Sequence, residues 1–98
     1  MLIKDGIVLS NKVTQVEGNI VSDMDGEKVM LSIINGKYYN LGEIGGVIWD
    51  HMNEPMLVEN LITILTKGYE IEKSECEVQV ISFLNHLLKE GLINTSKE

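Results

Sequence analysis

The chain has 98 residues, of which 44% are hydrophobic and 23% charged, with a formal net charge of −7. This length and composition are typical of one globular domain, here residues 1–98, which buries about 60–70% of its unfolded surface. The negative charge repels polyanions, which disfavours nucleic acid and favours neutral or basic partners.

The N-terminal segment carries no targeting signal. Its first ten residues, MLIKDGIVLS, are interrupted by Lys4, Asp5 and Gly6 and are too short for a signal peptide or a membrane span. The single cysteine, Cys76, excludes an internal disulfide and agrees with a reducing compartment. We therefore expect a cytoplasmic protein that makes no membrane contact.

The first third of the chain is rich in Val, Ile and Leu and is interrupted by turn signals at residues 17–19 and 25–26. It predicts strands at residues 13–17, 20–22 and 28–34. In the last of these, Val29, Leu31 and Ile33 share one face, because side chains alternate along a strand. We expect this face to point into the core.

Asn35 and Gly36 predict a two-residue type I′ turn, because both residue types tolerate positive φ. A strand follows at residues 37–41, and the turn places Tyr38 opposite Ile33 and Asn40 opposite Leu31. Alternation alone leaves open which of Tyr38 and Tyr39 is buried.

The strand at residues 37–41 runs into a helix after one glycine, Gly42, so no later strand follows to cover its outer side. It is therefore expected at a sheet edge. Such an edge leaves backbone N–H and C=O groups unpaired, and these either need protection or accept another extended chain.

The helical period begins at Glu43, where Ile44, Ile48 and Met52 form an apolar stripe. Gly45 and Gly46 each weaken a helix by about 1 kcal/mol relative to alanine, which suggests close approach of another backbone. Pro55 ends this helix and fits the first turn of a second helix at residues 56–67, which stops at Gly68.

A third helix is predicted from a capping box, in which Ser74 and Glu77 satisfy each other's backbone N–H groups. Gly91 ends this helix, and Leu92 and Ile93 fold back on it. Residues 94–98 are expected to fray.

This element order predicts an α+β fold of winged-helix-like arrangement, with an N-terminal three-stranded antiparallel sheet followed by three α-helices. Winged helices suggest a DNA-binding regulator. The solvent side of the third helix is net negative, however, where a recognition helix needs arginine and lysine.

Catalytic and metal sites have no support in the spacing of reactive residues. His86 lies ten residues after Cys76 on the third helix, about 15 Å away, and His51 has no nucleophile partner nearby in sequence. Two histidines and one cysteine without paired spacing make a poor metal site. We expect no enzyme activity, no cofactor and no metal.

The sequence resembles the PqqD-like family, also called RiPP recognition elements, most clearly over residues 27–93. The resemblance is carried by a G-x-Y-x-x-L-x-x-x-G-x-x-I-W pattern at Gly36, Tyr38, Leu41, Gly45, Ile48 and Trp49. Family members bind the leader segment of ribosomally made precursor peptides and deliver it to modifying enzymes. An acidic protein of this length resembles the discrete leader-binding partner of lasso-peptide biosynthesis, which works with a leader peptidase and a cyclase.

The resemblance implies that the leader adds as an antiparallel strand to the last strand and places side chains in the cleft beside the third helix. The implied peptide-binding residues lie on that strand and that helix. They are Lys37, Tyr38, Tyr39, Asn40, Leu41, Cys76, Gln79, Val80, Phe83, Leu84 and Leu87. Gly42 departs from the family, which usually has an asparagine there to cap the first helix.

Several of these apolar side chains have a competing role as ordinary core, and Trp49 is expected to be core. The chain is expected to be a monomer or a weak homodimer. A homodimer joined edge to edge through residues 37–41 remains an alternative to peptide binding, as does the DNA-binding regulator.

Overall fold

The computed structural model describes residues 6–97, which form six strands and three helices. The strands are β1 (Asn11–Gln15), β2 (Asn19–Met24), β3 (Glu27–Ser32), β4 (Lys37–Leu41), β5 (Met56–Leu57) and β6 (Ile93–Lys97). The helices are α1 (Gly42–His51), α2 (Val58–Tyr69) and α3 (Lys73–Lys89). The predicted α+β class and the three helices are confirmed.

The strands form two antiparallel sheets, where the sequence had predicted one. One sheet has the order β2-β3-β4 and the other the order β5-β1-β6. Residues 94–97 were expected to fray but belong to β6, which pairs along the whole of β1; Glu98 lies outside the described residues. The pairing follows from the burial of Leu92 and Ile93, which directs the chain back beside β1.

The hairpin before β4 has a four-residue loop, so the predicted type I′ turn at Asn35 and Gly36 is wrong. Ser32 pairs with Lys37 and Leu31 with Tyr38, which shifts the expected register by two residues. The Ser32 hydroxyl accepts from the Asn35 N–H at 3.1 Å, and the Ser32 carbonyl accepts from the Gly36 N–H at 2.8 Å. A two-residue shift keeps every side chain on its expected side of the sheet.

The inner face of β3 carries Met30 and Ser32, so the prediction that Val29, Leu31 and Ile33 form the core face is wrong. Met30 and Ser32 are 0% and 1% exposed, whereas Ile33 is 59% exposed. Helix α1 packs against β3 and covers the Met30 side. Both faces of the strand are apolar, so the position of α1 decides which is buried.

The start of α3 and both ends of α2 differ from the prediction. α3 begins at Lys73 with Glu72 as its N-cap, so the Ser74 hydroxyl donates to the Glu72 carboxylate and forms no capping box. α2 starts and ends two residues later than expected, and Glu70 rather than Gly68 takes the left-handed conformation at its end. Gly91 ends α3 with φ of 77°, as predicted.

The core lies between the three helices and the inner faces of both sheets. It contains Val13, Met30, Ile48, Trp49, Met52, Leu61, Ile62, Leu65, Val80, Leu84, Leu87 and Leu92. Within residues 6–97, no helix combines the length and hydrophobicity needed to cross a membrane.

Close packing and charge hold α1 against β3. A Cβ atom at Gly46 would lie 2.8 Å from the Cβ of Lys28, so only glycine permits this approach. The Lys28 ammonium lies 3.2 Å from the carboxylates of both Asp23 and Asp50. The hydrogen bond to Asp23, aided by Asp50, raises the pKa of Lys28.

A polar cluster joins the β3–β4 hairpin to the end of α3. The Tyr39 hydroxyl donates to the Glu90 carboxylate at 2.7 Å, and the Asn35 amide donates to the Glu90 carbonyl at 2.8 Å. The Lys37 ammonium lies 3.6 Å from the same carboxylate. The Tyr39 hydrogen bond, with help from Lys37, lowers the pKa of Glu90.

The α1 contact predicts opposite effects for two glycine-to-alanine substitutions. Gly46→Ala should lower the free energy of unfolding by about 1–3 kcal/mol, because its Cβ would press on Lys28. Gly68→Ala should raise it by about 0.5–1 kcal/mol, because a Cβ there meets nothing within 4 Å and alanine favours helix. Urea unfolding of both variants measures this, and equal effects would contradict the assigned contact.

The polar cluster predicts a pH dependence that Glu90→Gln should remove. Because the pKa of Glu90 is lower in the folded chain than its ordinary 4.5, its stabilisation is complete above that pH and is lost as the pH falls through the lowered value. The difference in unfolding free energy between parent and variant should therefore shrink from about pH 6 to about pH 3. A difference that stays constant over this range would argue against the Tyr39–Glu90 contact.

Candidate functional site

Strand β4 has an open edge. It pairs with β3 on one side, and within residues 6–97 no strand pairs with its other side. The predicted position at a sheet edge is thus confirmed for this part of the chain. β1, the first described strand, lies in the other sheet and does not cover β4. Because alternate residues of an antiparallel strand direct their N–H and C=O groups to opposite sides, β4 offers unpaired backbone groups along this edge.

An apolar groove lies beside the C-terminal end of β4. It encloses about 170 Å³ between the end of β4, the first turns of α1, the end of α2 and one face of α3. Five of the side chains predicted to bind peptide line it: Leu41, Cys76, Gln79, Val80 and Phe83. The groove therefore brings together the end of β4 and one face of α3, which are more than thirty residues apart in sequence.

The sequence interpretation missed the other residues that line the groove. These residues, from α1, α2 and the segment after α2, are Ile44, Gly45, Ile48, Leu65 and Ile71. A Cβ at Gly45 would lie 3.0 Å from the Phe83 ring, so glycine makes room for the aromatic side chain of α3. The adjacent glycines at 45 and 46 were the one signal in the sequence that this part of α1 approaches other elements closely.

Leu84 and Leu87 are placed in the core, at 0% and 1% exposure, and not along the groove. Tyr39 lies on the inner face opposite Met30, where it reaches Glu90, whereas Tyr38 is 74% exposed on the outer face. Lys37 lies at the hairpin end of β4, away from the groove.

The Asn40 side chain caps the first backbone N–H of α1, a role that the glycine at position 42 cannot perform with a side chain. No side chain caps α1 at Leu41, which occupies the N-cap position. The side-chain carbonyl of Asn40 accepts from the Gly42 N–H at 2.9 Å, and its amide donates to the Glu27 carboxylate at 3.0 Å. The turn from β4 into α1 is thereby fixed next to the groove.

Cys76 contributes apolar surface rather than chemical reactivity. Its side chain is 2% exposed, and burial, with a smaller effect of the Glu77 charge, raises the pKa of the thiol. A thiol that resists ionisation is a poor nucleophile. The groove therefore offers a hydrophobic surface beside an open strand edge, which suits an extended peptide with apolar side chains.

Three solved structures share this fold. TbiB1 in complex with the TbiA(beta) leader peptide has a TM-score of 0.74 and 22% identity, covering 83% of this chain and 94% of that one. Lasso peptide synthetase B1 complexed with the leader peptide has a TM-score of 0.73 and 20% identity, covering 84% and 96%.

The third is the PqqD truncation of Methylobacterium extorquens PqqCD, described as a functional, stand-alone RiPP recognition element. Its TM-score is 0.71 at 13% identity, covering 85% of this chain and 88% of that one. The TM-scores establish a common fold, and at identities this low they establish the fold alone.

The family of this chain is identified by its sequence rather than by the structural similarity. No curated protein matches the chain. The sequence model of the family described as Coenzyme PQQ synthesis protein D (PqqD), in contrast, matches residues 27–93, more than half of the chain. This span runs from β3 through the groove to the start of β6 and includes every element that forms the site. The chain therefore belongs to the PqqD family.

Proposed function

We propose that this protein is a non-catalytic, cytoplasmic adaptor of lasso-peptide biosynthesis that binds the leader segment of a ribosomally made precursor peptide. The leader adds to β4 as an antiparallel strand and places an apolar side chain in the groove beside Leu41. The adaptor then presents the precursor to a leader peptidase and a cyclase. No cofactor takes part.

The observation that supports this proposal best is the open β4 edge directly beside the apolar groove. Backbone pairing along an edge gives affinity with little dependence on sequence, whereas a pocket for alternate side chains gives selectivity. Both are present in one site. Two of the similar structures were solved with leader peptides bound, which agrees with this use of the fold.

The strand direction fixes which way the bound peptide runs. β4 runs from Lys37 to Leu41, so an antiparallel leader would pass Leu41 and the groove first and Lys37 last. The core peptide, which follows the leader in the precursor, would leave at the β3–β4 hairpin. We propose that the processing enzymes approach from that side.

The alternative of a DNA-binding regulator has no support from the comparisons. Glu75 and Glu77 lie in the first turns of α3 and Glu90 lies at its C-terminal end, and the whole chain has a net charge of −7. A helix that contacts DNA phosphates needs lysine and arginine at such positions, because the phosphates repel glutamate.

Substituting proline in β4 tests strand addition. Tyr39 and Asn40 are neighbours whose N–H groups point to opposite sides of the strand, so Tyr39→Pro or Asn40→Pro must remove a donor from the open edge. A short precursor-like reading frame, sought next to this coding sequence, would supply a synthetic leader peptide. The parent should bind this peptide at micromolar strength or better, measured by calorimetry. The variant that should lose this binding is the one of the two whose proline replaces an N–H pointing to the open edge.

The matched controls are Ser22→Pro and Asp23→Pro in β2, which is the other edge strand of the same sheet. They impose the same backbone change away from the site and should bind the leader like the parent, while circular dichroism confirms folding. If both β4 proline variants are folded and bind like the parent, edge pairing is wrong.

Substituting one aromatic side chain tests the groove. Phe83→Ala should weaken leader binding by about tenfold, equivalent to about 1.4 kcal/mol, because the ring lines the groove. Ile81→Ala is the control, because Ile81 is also a partly buried α3 residue that packs on the core but lies outside the groove. It should lower stability and leave affinity unchanged. Equal affinity losses in the two variants would exclude the groove as the binding surface.

A further inference from the structure

The outer face of the β2-β3-β4 sheet carries an apolar row that ends at the open edge. Ile20 pairs with Leu31, and Leu31 pairs with Tyr38, so the three side chains lie side by side across the sheet. Ile20 and Tyr38 are 54% and 74% exposed, and Leu31 between them is half-buried. This row lies on the side of the sheet opposite the core and the groove.

Tyr38 is the last member of this row. Leu31 flanks it on one side, and within residues 6–97 no strand supplies a neighbour on the other. The inner-face tyrosine, Tyr39, is fixed by its hydrogen bond to Glu90. Tyr38 has no such role in the hairpin, although a large aromatic ring exposed on an open edge favours unwanted pairing.

We propose that Tyr38 is a specificity-determining residue that reads a leader side chain on the outer face of the sheet. This inference rests on the proposed function. A leader strand added to β4 places one residue directly opposite Tyr38, where cross-strand side chains lie about 4.5–5.5 Å apart at Cβ. That residue extends the Ile20–Leu31–Tyr38 row and is aromatic or β-branched, the classes that pair best with an aromatic ring across strands.

The spacing of the two recognition points follows from the register. Leu41, at the groove, and Tyr38 are separated by three positions and therefore face opposite sides of β4. In an antiparallel leader, the groove side chain comes first and the Tyr38 partner about three residues later. Leader side chains are thus recognised on both faces of the sheet, in the groove beside Leu41 on one face and by Tyr38 on the other.

The occupant of this edge is a leader strand rather than a second copy of the chain. Two copies joined through β4 would each bring a net charge of −7, and this repulsion opposes self-association. A neutral or basic peptide carries no such penalty.

The experiment compares Tyr38→Ala with Ile20→Ala by calorimetry, using the same synthetic leader peptide. Both variants remove an exposed apolar side chain from the same row, but Ile20 lies on the opposite edge strand. Tyr38→Ala should weaken binding by about two- to fivefold, as expected for one cross-strand pair. Ile20→Ala should leave affinity unchanged.

An alanine scan of the peptide against the parent, Tyr38→Ala and Phe83→Ala then locates the partners. One peptide residue should lose its effect only in Tyr38→Ala, and another only in Phe83→Ala, because coupled residues give non-additive losses. The first should lie about three positions after the second in the leader.

The outcomes separate this inference from the function on which it rests. Unchanged affinity in Tyr38→Ala, or an equal loss in Ile20→Ala, would overturn the role of Tyr38, even if the β4 proline variants lose binding. No binding by the parent would overturn both. A change in the sedimentation of the free chain in Tyr38→Ala, with leader affinity unchanged, would assign the edge to a second copy instead.

Discussion

The unpaired edge of β4 is the constraint on which the rest of this structure depends, because an open strand needs rigid support on every other side. β3 pairs with its inner edge, and Tyr39 attaches it to the end of α3 through Glu90. At the opposite end, Asn40 fixes the turn into α1, and Gly46 allows α1 to rest directly on β3. A peptide that adds to such an edge would find its backbone partner already ordered, which lowers the entropic cost of binding.

The second sheet explains why the edge stays open. β1 has β5 on one side and β6 on the other, so the first described strand has both of its own edges paired. β6 is held in place by the buried side chains of Leu92 and Ile93, directly after α3 ends at Gly91. β1 is thus held in the second sheet, and within residues 6–97 no strand is left to pair with the outer side of β4.

Turn and glycine signals in the sequence correctly predicted β4 and the end of α3, because neighbouring residues determine these features. The bounds of β4 and its edge position follow from the turn residues before it and the glycine after it, and Gly91 marked the end of α3. The inner face of β3 could not be predicted, because Met30 and Leu31 are equally apolar and the docking of α1 chooses between them. β6 depends on pairing with a strand some eighty residues earlier. Of the groove, the α3 side chains followed from resemblance to the PqqD family. The walls from α1 and α2 depend on helix packing, for which the adjacent glycines at 45 and 46 were the one local signal.

Hydrogen exchange followed by NMR tests the central claim most directly, because it reports on each backbone amide separately. In the free protein, the β4 amides that point away from β3 should exchange rapidly. With the synthetic leader peptide bound, alternate amides within Lys37–Leu41 should become protected, while those on the open edge of β2 should not change. Protection confined to other surfaces, with the β4 amides still exchanging freely in the complex, would contradict binding by strand addition.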